Sequence, residues 1–132
     1  MERKLQISSQ PENLRKIEKL IDEISEQHEF ESDMYGKVLV ACVEAVNNSI
    51  IHGNKSNPDK FVKVEVTCTA NKLMIVVEDE GPGFDYDKIP DPTAPENIEN
   101  IDGRGVFLMN HLSDDVKFMK NGAKVELTFQ LA

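Results

Sequence analysis

A carboxylate and a carboxamide one helical turn apart, Glu44 and Asn48, are the first residues here whose types and spacing could do chemistry. They sit in a stretch, Val38 to Ile51, that is apolar on nearly every side of a helix. At roughly 100° per residue, Val38, Cys42, Ala45, Val46 and Ile50 form one face and Val40 and Ile51 the opposite one. Glu44 and Asn48 share the Val40 and Ile51 side, with Asn47 beside them. A charge there is costly unless it is paired or faces a solvated pocket. Two readings stay open at this point. In the structural one, Glu44 reaches water and Asn48 caps a neighbouring turn. In the chemical one, Asn48 offers a hard oxygen to Mg²⁺, a cation that takes few protein ligands beside phosphate and water. Glu44 would then accept a proton from an attacking hydroxyl.

A second cluster, Asp79-Glu80-Gly81-Pro82-Gly83-Phe84, directly follows an apolar strand pattern. Read plainly, it is a strand-ending turn, because Asp and Gly are common there. Read chemically, Gly81 and Gly83 let the backbone approach a flat ligand closely, and Asp79 could accept a hydrogen bond from an exocyclic amine of adenine. The third cluster is Gly103-Arg104-Gly105, placed just before a short helical pattern from Gly105 to Leu112. Glycines at a helix start expose amides, the helix dipole favours an anion there, and Arg104 adds a donor suited to phosphate. A flexible hinge before an ordinary helix is the alternative. No Gly-Lys-Ser/Thr follows, so this is not a Walker loop.

The elements that must position these clusters follow from periodicity. Leu5 and Ile7 alternate with polar neighbours as a short strand. Ser9 to Glu12 reads as a capping box, opening an amphipathic helix through Leu14, Ile17, Leu20 (or Ile21) and Ile24 to about Gln27. Ser32-Asp33 predicts the start of a second helix, covered on both sides, with Gly53 as its C′ stop after His52. His52 is read as structural. A polar loop, Asn54 to Lys60, leads into Val62, Val64, Val66 and Cys68 alternating with polar residues, then a turn and the strand Leu73 to Val77. Gly81 to Gly103 carries Pro82, Pro90, Pro92 and Pro95 and little periodicity, and a loop of that length is usually functional. Val116 to Met119 and Val125 to Phe129 close the chain as a hairpin around Asn121-Gly122. These elements predict one α+β domain over residues 1–132: a two-layer α/β sandwich, mainly antiparallel mixed sheet with helices on one face.

Composition excludes several classes. The chain has 132 residues, 39% hydrophobic and 30% charged, the balance of a globular protein with a real core. Its 15 Lys and Arg against 24 Asp and Glu give a net charge of −9 and no basic stripe, which argues against nucleic acid. An acidic surface suits a basic protein face instead. No apolar run approaches the ~20 residues that span a bilayer, and Met1 to Leu5 shows no secretory signal, so a cytoplasmic setting is expected. Cys42 and Cys68 fall inside apolar patterns and read as buried hydrophobes with no metal-site spacing.

Glu44 to Gly53 resembles the N box of the anti-sigma-factor serine kinases, in the superfamily of gyrase, heat-shock chaperone, histidine kinase and mismatch-repair ATPases. Asp79 to Phe84 resembles that family's first glycine box, and Gly103 to Met109 its second. The resemblance spans almost the whole chain and implies the histidine-kinase-like ATPase (Bergerat-type) fold. It implies Glu44 as general base, Asn48 as Mg²⁺ ligand, and Asp79 as the adenine contact. Gly81, Gly83 and Phe84 would line the base pocket, with Phe84 read as packing rather than stacking. Gly103, Arg104, Gly105 and Val106 would meet the phosphates. It further implies ATP and Mg²⁺ as ligands, a homodimer, and partners that are a sigma factor and an anti-anti-sigma antagonist phosphorylated on serine. One departure is the stretch Tyr86 to Asp102, which is acidic and offers little beyond Thr93 as a polar contact to a terminal phosphate. That favours, as an alternative, a nucleotide-dependent switch without turnover. A histidine-kinase catalytic domain ranks lower, because no dimerisation helix pair with a phosphoacceptor His is present in the sequence.

Overall fold

The computed structural model describes residues 1–82 and 101–131, with the backbone alone for 101–104. Along the chain these are β1 (Glu2–Ser8), a 3-10 turn (Pro11–Asn13), α1 (Leu14–His28), and α2 (Ser32–Asn48) running into a π-helical turn (Ser49–Gly53). Then come β2 (Phe61–Cys68), β3 (Lys72–Glu78), α3 (Ile101–Leu112), β4 (Asp115–Met119) and β5 (Lys124–Gln130). The sheet order is β1-β2-β3-β5-β4, and each of these neighbours pairs antiparallel. The α+β two-layer architecture expected from the sequence is the one observed.

Period-2 alternation builds the core. Val62, Val64 and Val66 of β2, Leu73, Ile75 and Val77 of β3, and Val125, Leu127 and Phe129 of β5 point to one side and are buried. Ile17, Leu20, Ile21 and Ile24 of α1, Val38, Cys42, Ala45 and Val46 of α2, and Met109 of α3 close over them. The opposite sheet face is polar, with Lys63 across from Glu78 and Glu78 across from Lys124. Opposite charges facing each other across strands favour this register.

Four local expectations are corrected. Ser9 forms no capping box: it is fully buried and donates its hydroxyl to the Lys60 carbonyl at 2.8 Å, while Gln10 precedes the 3-10 turn without a side-chain cap. Pro11 at the turn start has no amide to satisfy, which lowers the demand for a cap. Gly53 is not a left-handed C′ residue, because the helix widens into the π turn and passes through it. The helix is also covered on one side rather than two, since Val40 and Ile51 are each 40% exposed. Finally, α3 begins at Ile101 and not at Gly105. The Asn121-Gly122 turn holds: Lys120, Asn121 and Gly122 have φ of 51°, 58° and 98°, and Gly122 carries the conformation that most penalises a side chain.

Candidate functional site

The C-terminal half of α2 meets the other two sequence clusters. After Asn48 the helix loosens, and the Asn54 amide reaches back five residues to the Ser49 carbonyl at 2.8 Å. Such π bulges recur at functional sites because they shift side chains out of helical register. Here the bulge presses Ser49 and Gly53 against the end of β3, where the Asp79 amide extends the sheet by bonding the Ala123 carbonyl at 2.9 Å. A Cβ at Gly53 would collide with Asp79 Cγ and both carboxylate oxygens, and one at Gly81 would collide with the Gly53 carbonyl. Both positions therefore require glycine for close approach, not for unusual dihedrals.

Asp79 is 9% exposed, which is unusual for an acid at a strand end. Burial pushes its pKa up, the Gly81 amide and Ser49 hydroxyl pull it down by donating to it, and the nearby Glu78 and Lys60 charges oppose each other. The Gly81 amide bonds Oδ1 at 2.8 Å. An ionised carboxylate accepts about four hydrogen bonds, so donors from the Gly81 amide and Ser49 hydroxyl leave acceptor capacity for an amine. That spare acceptor could take an exocyclic amine such as that of adenine.

Asn54 sits next to this turn and is 1% exposed. Its Nδ2 donates to Ser9 Oγ at 2.8 Å and to the Phe61 carbonyl at 3.0 Å, and its Oδ1 accepts from the Glu80 amide at 2.8 Å. The Glu80 carboxylate in turn accepts from the Phe61 amide.

Glu44 and Asn48 are both half-buried on the open side of α2. Helix α3 crosses there, and a Cβ at Gly105 would lie 3.4 Å from Glu44 Oε2, an ordinary contact distance. Val106 beside it is 5% exposed. Among the described residues no group of three His, Cys, Asp or Glu could hold a metal ion. Mg²⁺ takes few protein ligands beside phosphate and water, and the Asn48 oxygen could be one of them.

Of the residues singled out by sequence, Glu44, Asn48, Asp79, Gly81, Gly105 and Val106 are described, and they cluster around the end of α2. Gly83, Phe84, Thr93 and the stretch 86–100 lie outside the described residues, as do the side chains of 101–104. Gly103 and Arg104 fall in the first turn of α3, so the unpaired amides of the helix start lie upstream of Gly105. Sequence reasoning missed Ser49, the true role of Gly53, and Asn54. Ser49 looked like helix filler and Asn54 like the first residue of a polar loop. The cysteines fit their sequence reading: both are buried free thiols, and burial raises the Cys42 pKa to about 12, too high for reactivity. No helix among the described residues is long and apolar enough to cross a membrane.

Comparison with known proteins is consistent with this geometry. Residues 7–130 match a sequence family described as the histidine kinase-like ATPase domain. The chain is 28% identical over 131 residues to a protein named serine-protein kinase RsbW from Listeria monocytogenes serovar 1/2a, covering 94% of this chain and 83% of that one. A protein of the same name from Staphylococcus aureus strain JH9 is 32% identical over 97 residues, covering 67% of this chain and 61% of that one. The resemblance to anti-sigma-factor serine kinases, drawn from the three motifs, agrees with these relatives.

Proposed function

Because this chain belongs to the histidine kinase-like ATPase family, we propose that it binds Mg-ATP beside the end of α2 and phosphorylates a serine of a partner protein. The observation that carries the reading is the meeting of the clusters on one helix. Gly53 packs on Asp79 and Gly81, while Gly105 lies opposite Glu44 a few turns away. Asp79 accepts the adenine amine, and Gly81, with Gly83 and Phe84, lines the base. Asn48 supplies one oxygen to Mg²⁺. Held there, the cation would supply charge that neutralises the phosphates. Gly103 and Arg104, in the first turn of α3, and the Gly105–Val106 backbone that follows would meet the phosphates, with the helix amides and dipole favouring an anion.

Phosphoryl transfer asks mainly for positioning and charge stabilisation. Glu44, half-buried beside Gly105, takes the proton from the serine hydroxyl. In this proposal the partners are a sigma factor, held inactive, and its anti-anti-sigma antagonist, which is phosphorylated. The protein acts as a homodimer in the cytoplasm, as one domain over 1–132. The relatives named serine-protein kinase support the transfer step. The acidic stretch 86–102 favours the second reading, a nucleotide-dependent switch without turnover.

Incubation with labelled ATP and the cognate antagonist separates the two. The kinase reading expects phosphoserine on the antagonist, reduced about 10²–10⁴-fold by Glu44→Ala with ADP affinity nearly unchanged. Binding without any phosphoserine would leave the switch.

A further inference from the structure

Each hydrogen bond of the Asn54 side chain reaches a different part of the chain. The residue is 1% exposed, and its two polar side-chain atoms do separate jobs. The Nδ2 end is anchored, through Ser9 Oγ at 2.8 Å and the Phe61 carbonyl at 3.0 Å, to the adjoining ends of β1 and β2. Ser9 is itself fixed, because both its amide and its hydroxyl donate to the Lys60 carbonyl, at 3.0 and 2.8 Å. The Oδ1 end holds one thing, the amide of Glu80 at 2.8 Å. Glu80 is the residue between Asp79 and Gly81.

The Asp79–Gly81 turn is tied at its start by the Asp79 amide to the Ala123 carbonyl and at the Glu80 carboxylate by the Phe61 amide, while Gly53 sets how near it can come. Contact of that kind limits approach but does not prevent the turn from swinging outward. A buried hydrogen bond donated to a rigidly anchored carboxamide oxygen does. With Asn54 in place, the turn is held from one side by Gly53 and Ser49 and from the other by the Oδ1–Glu80 bond.

We infer that Asn54 is a positioning residue for base recognition, fixing the Asp79 carboxylate at the angle from which it can accept a hydrogen bond from an exocyclic amine. The inference rests on the nucleotide-binding reading above. It places Asn54 away from the ligand and makes it act through Asp79. Loss of Asn54 should therefore cost selectivity for the amine and not affinity in general.

The test compares two ligands on the full chain by calorimetry: ADP, and purine riboside diphosphate, which lacks the exocyclic amine. The wild type is expected to prefer ADP by about tenfold or more. Asn54→Ala should collapse that preference towards unity while leaving affinity for the amine-free ligand within about threefold, and adding Asp79→Ala should reduce the preference no further. Ser9→Ala, which loosens the anchor but leaves the Phe61 bond, should lower the melting temperature with the preference retained. Undiminished preference in Asn54→Ala overturns the inference, and so does equal collapse in Ser9→Ala, which would point to general loosening. No saturable ADP binding by the wild type would overturn the nucleotide reading itself. Should Asn54→Ala not fold, hydrogen exchange on the wild type decides: the Glu80 amide should be slowed by ADP more than by the amine-free ligand, and equal slowing overturns the inference.

Discussion

The two ends of the proposed site are built differently. At the Asp79 end, the Gly81 backbone lies close on the Gly53 backbone, Gly53 lies close on the Asp79 carboxylate, and Asn54 bonds the Glu80 amide from a buried position. At the Glu44 end, a methyl added at Gly105 of α3 would reach the carboxylate only at an ordinary van der Waals distance, and it would meet the flexible end of a side chain. Close backbone approach in a dense interior cannot be relieved by rotating a side chain, whereas a Glu carboxylate can move aside at small cost. On the proposed reading, recognition of the base is built into the fold, while the reacting end depends on how α3 lies.

Glycine substitutions break this comparison most forcefully. Gly81→Ala places a methyl on the Gly53 backbone, and an expected loss of about 3 kcal/mol or more would appear as a large drop in chemical-denaturation midpoint. Gly105→Ala, inside α3, should instead gain about 0.5–1 kcal/mol from helix propensity, since among the described residues its Cβ meets the end of Glu44 at 3.4 Å and the Glu44 carbonyl at 4.0 Å. Equal destabilisation by the two would erase the distinction between the ends.

Asp79→Asn sharpens it further. Burial holds the Asp79 pKa above its ordinary value. The folded state therefore holds this proton more tightly than the unfolded chain does. The resulting stability is fully present below the unfolded pKa and is lost as pH rises through the raised folded one. The neutral amide escapes that loss. Thermal melts should show the Asp79→Asn variant matching or exceeding the wild type at pH 7, with the gap closing in acid. A wild type that gains on the variant as pH rises would show that the carboxylate is stabilised rather than strained.

The smallest effect is expected one residue away, on the opposite sheet face. Lys120 donates to the Glu78 carboxylate and lowers its pKa, against a smaller opposing effect of burial. Here the sign reverses: the contribution is present above the unfolded pKa of Glu78 and is lost as pH falls through its depressed folded value. Lys120→Ala should cost at most about 0.5 kcal/mol at neutral pH, and less in high salt, as exposed pairs do. A loss that ignores both pH and salt would exclude the ion pair as its cause.

Much of this was legible locally. The alternation of Val62, Val64, Val66 and Cys68 marked β2 because a strand's period depends on near neighbours. Glu44 and Asn48 stood out for the same reason, as polar residues in an apolar helical pattern. What the sequence hid was long-range. Ser9 bonds a carbonyl 51 positions away, and the Asn54 carboxamide bonds an amide 26 positions away. Local chemistry therefore suggested a cap and a loop. Gly53 looked like a helix stop because glycine is common there, yet its use is clearance for Asp79, which nothing in its own neighbourhood encodes.

The central claim is that the buried Asp79 carboxylate, cradled by Gly53 and Gly81, recognises adenine. Calorimetric titration of magnesium and ADP into the wild type and Asp79→Asn tests it directly. One saturable site in the wild type, weakened in the variant by about 1–3 kcal/mol, is the expected result. Identical isotherms, or no saturable heat from the wild type, would contradict it.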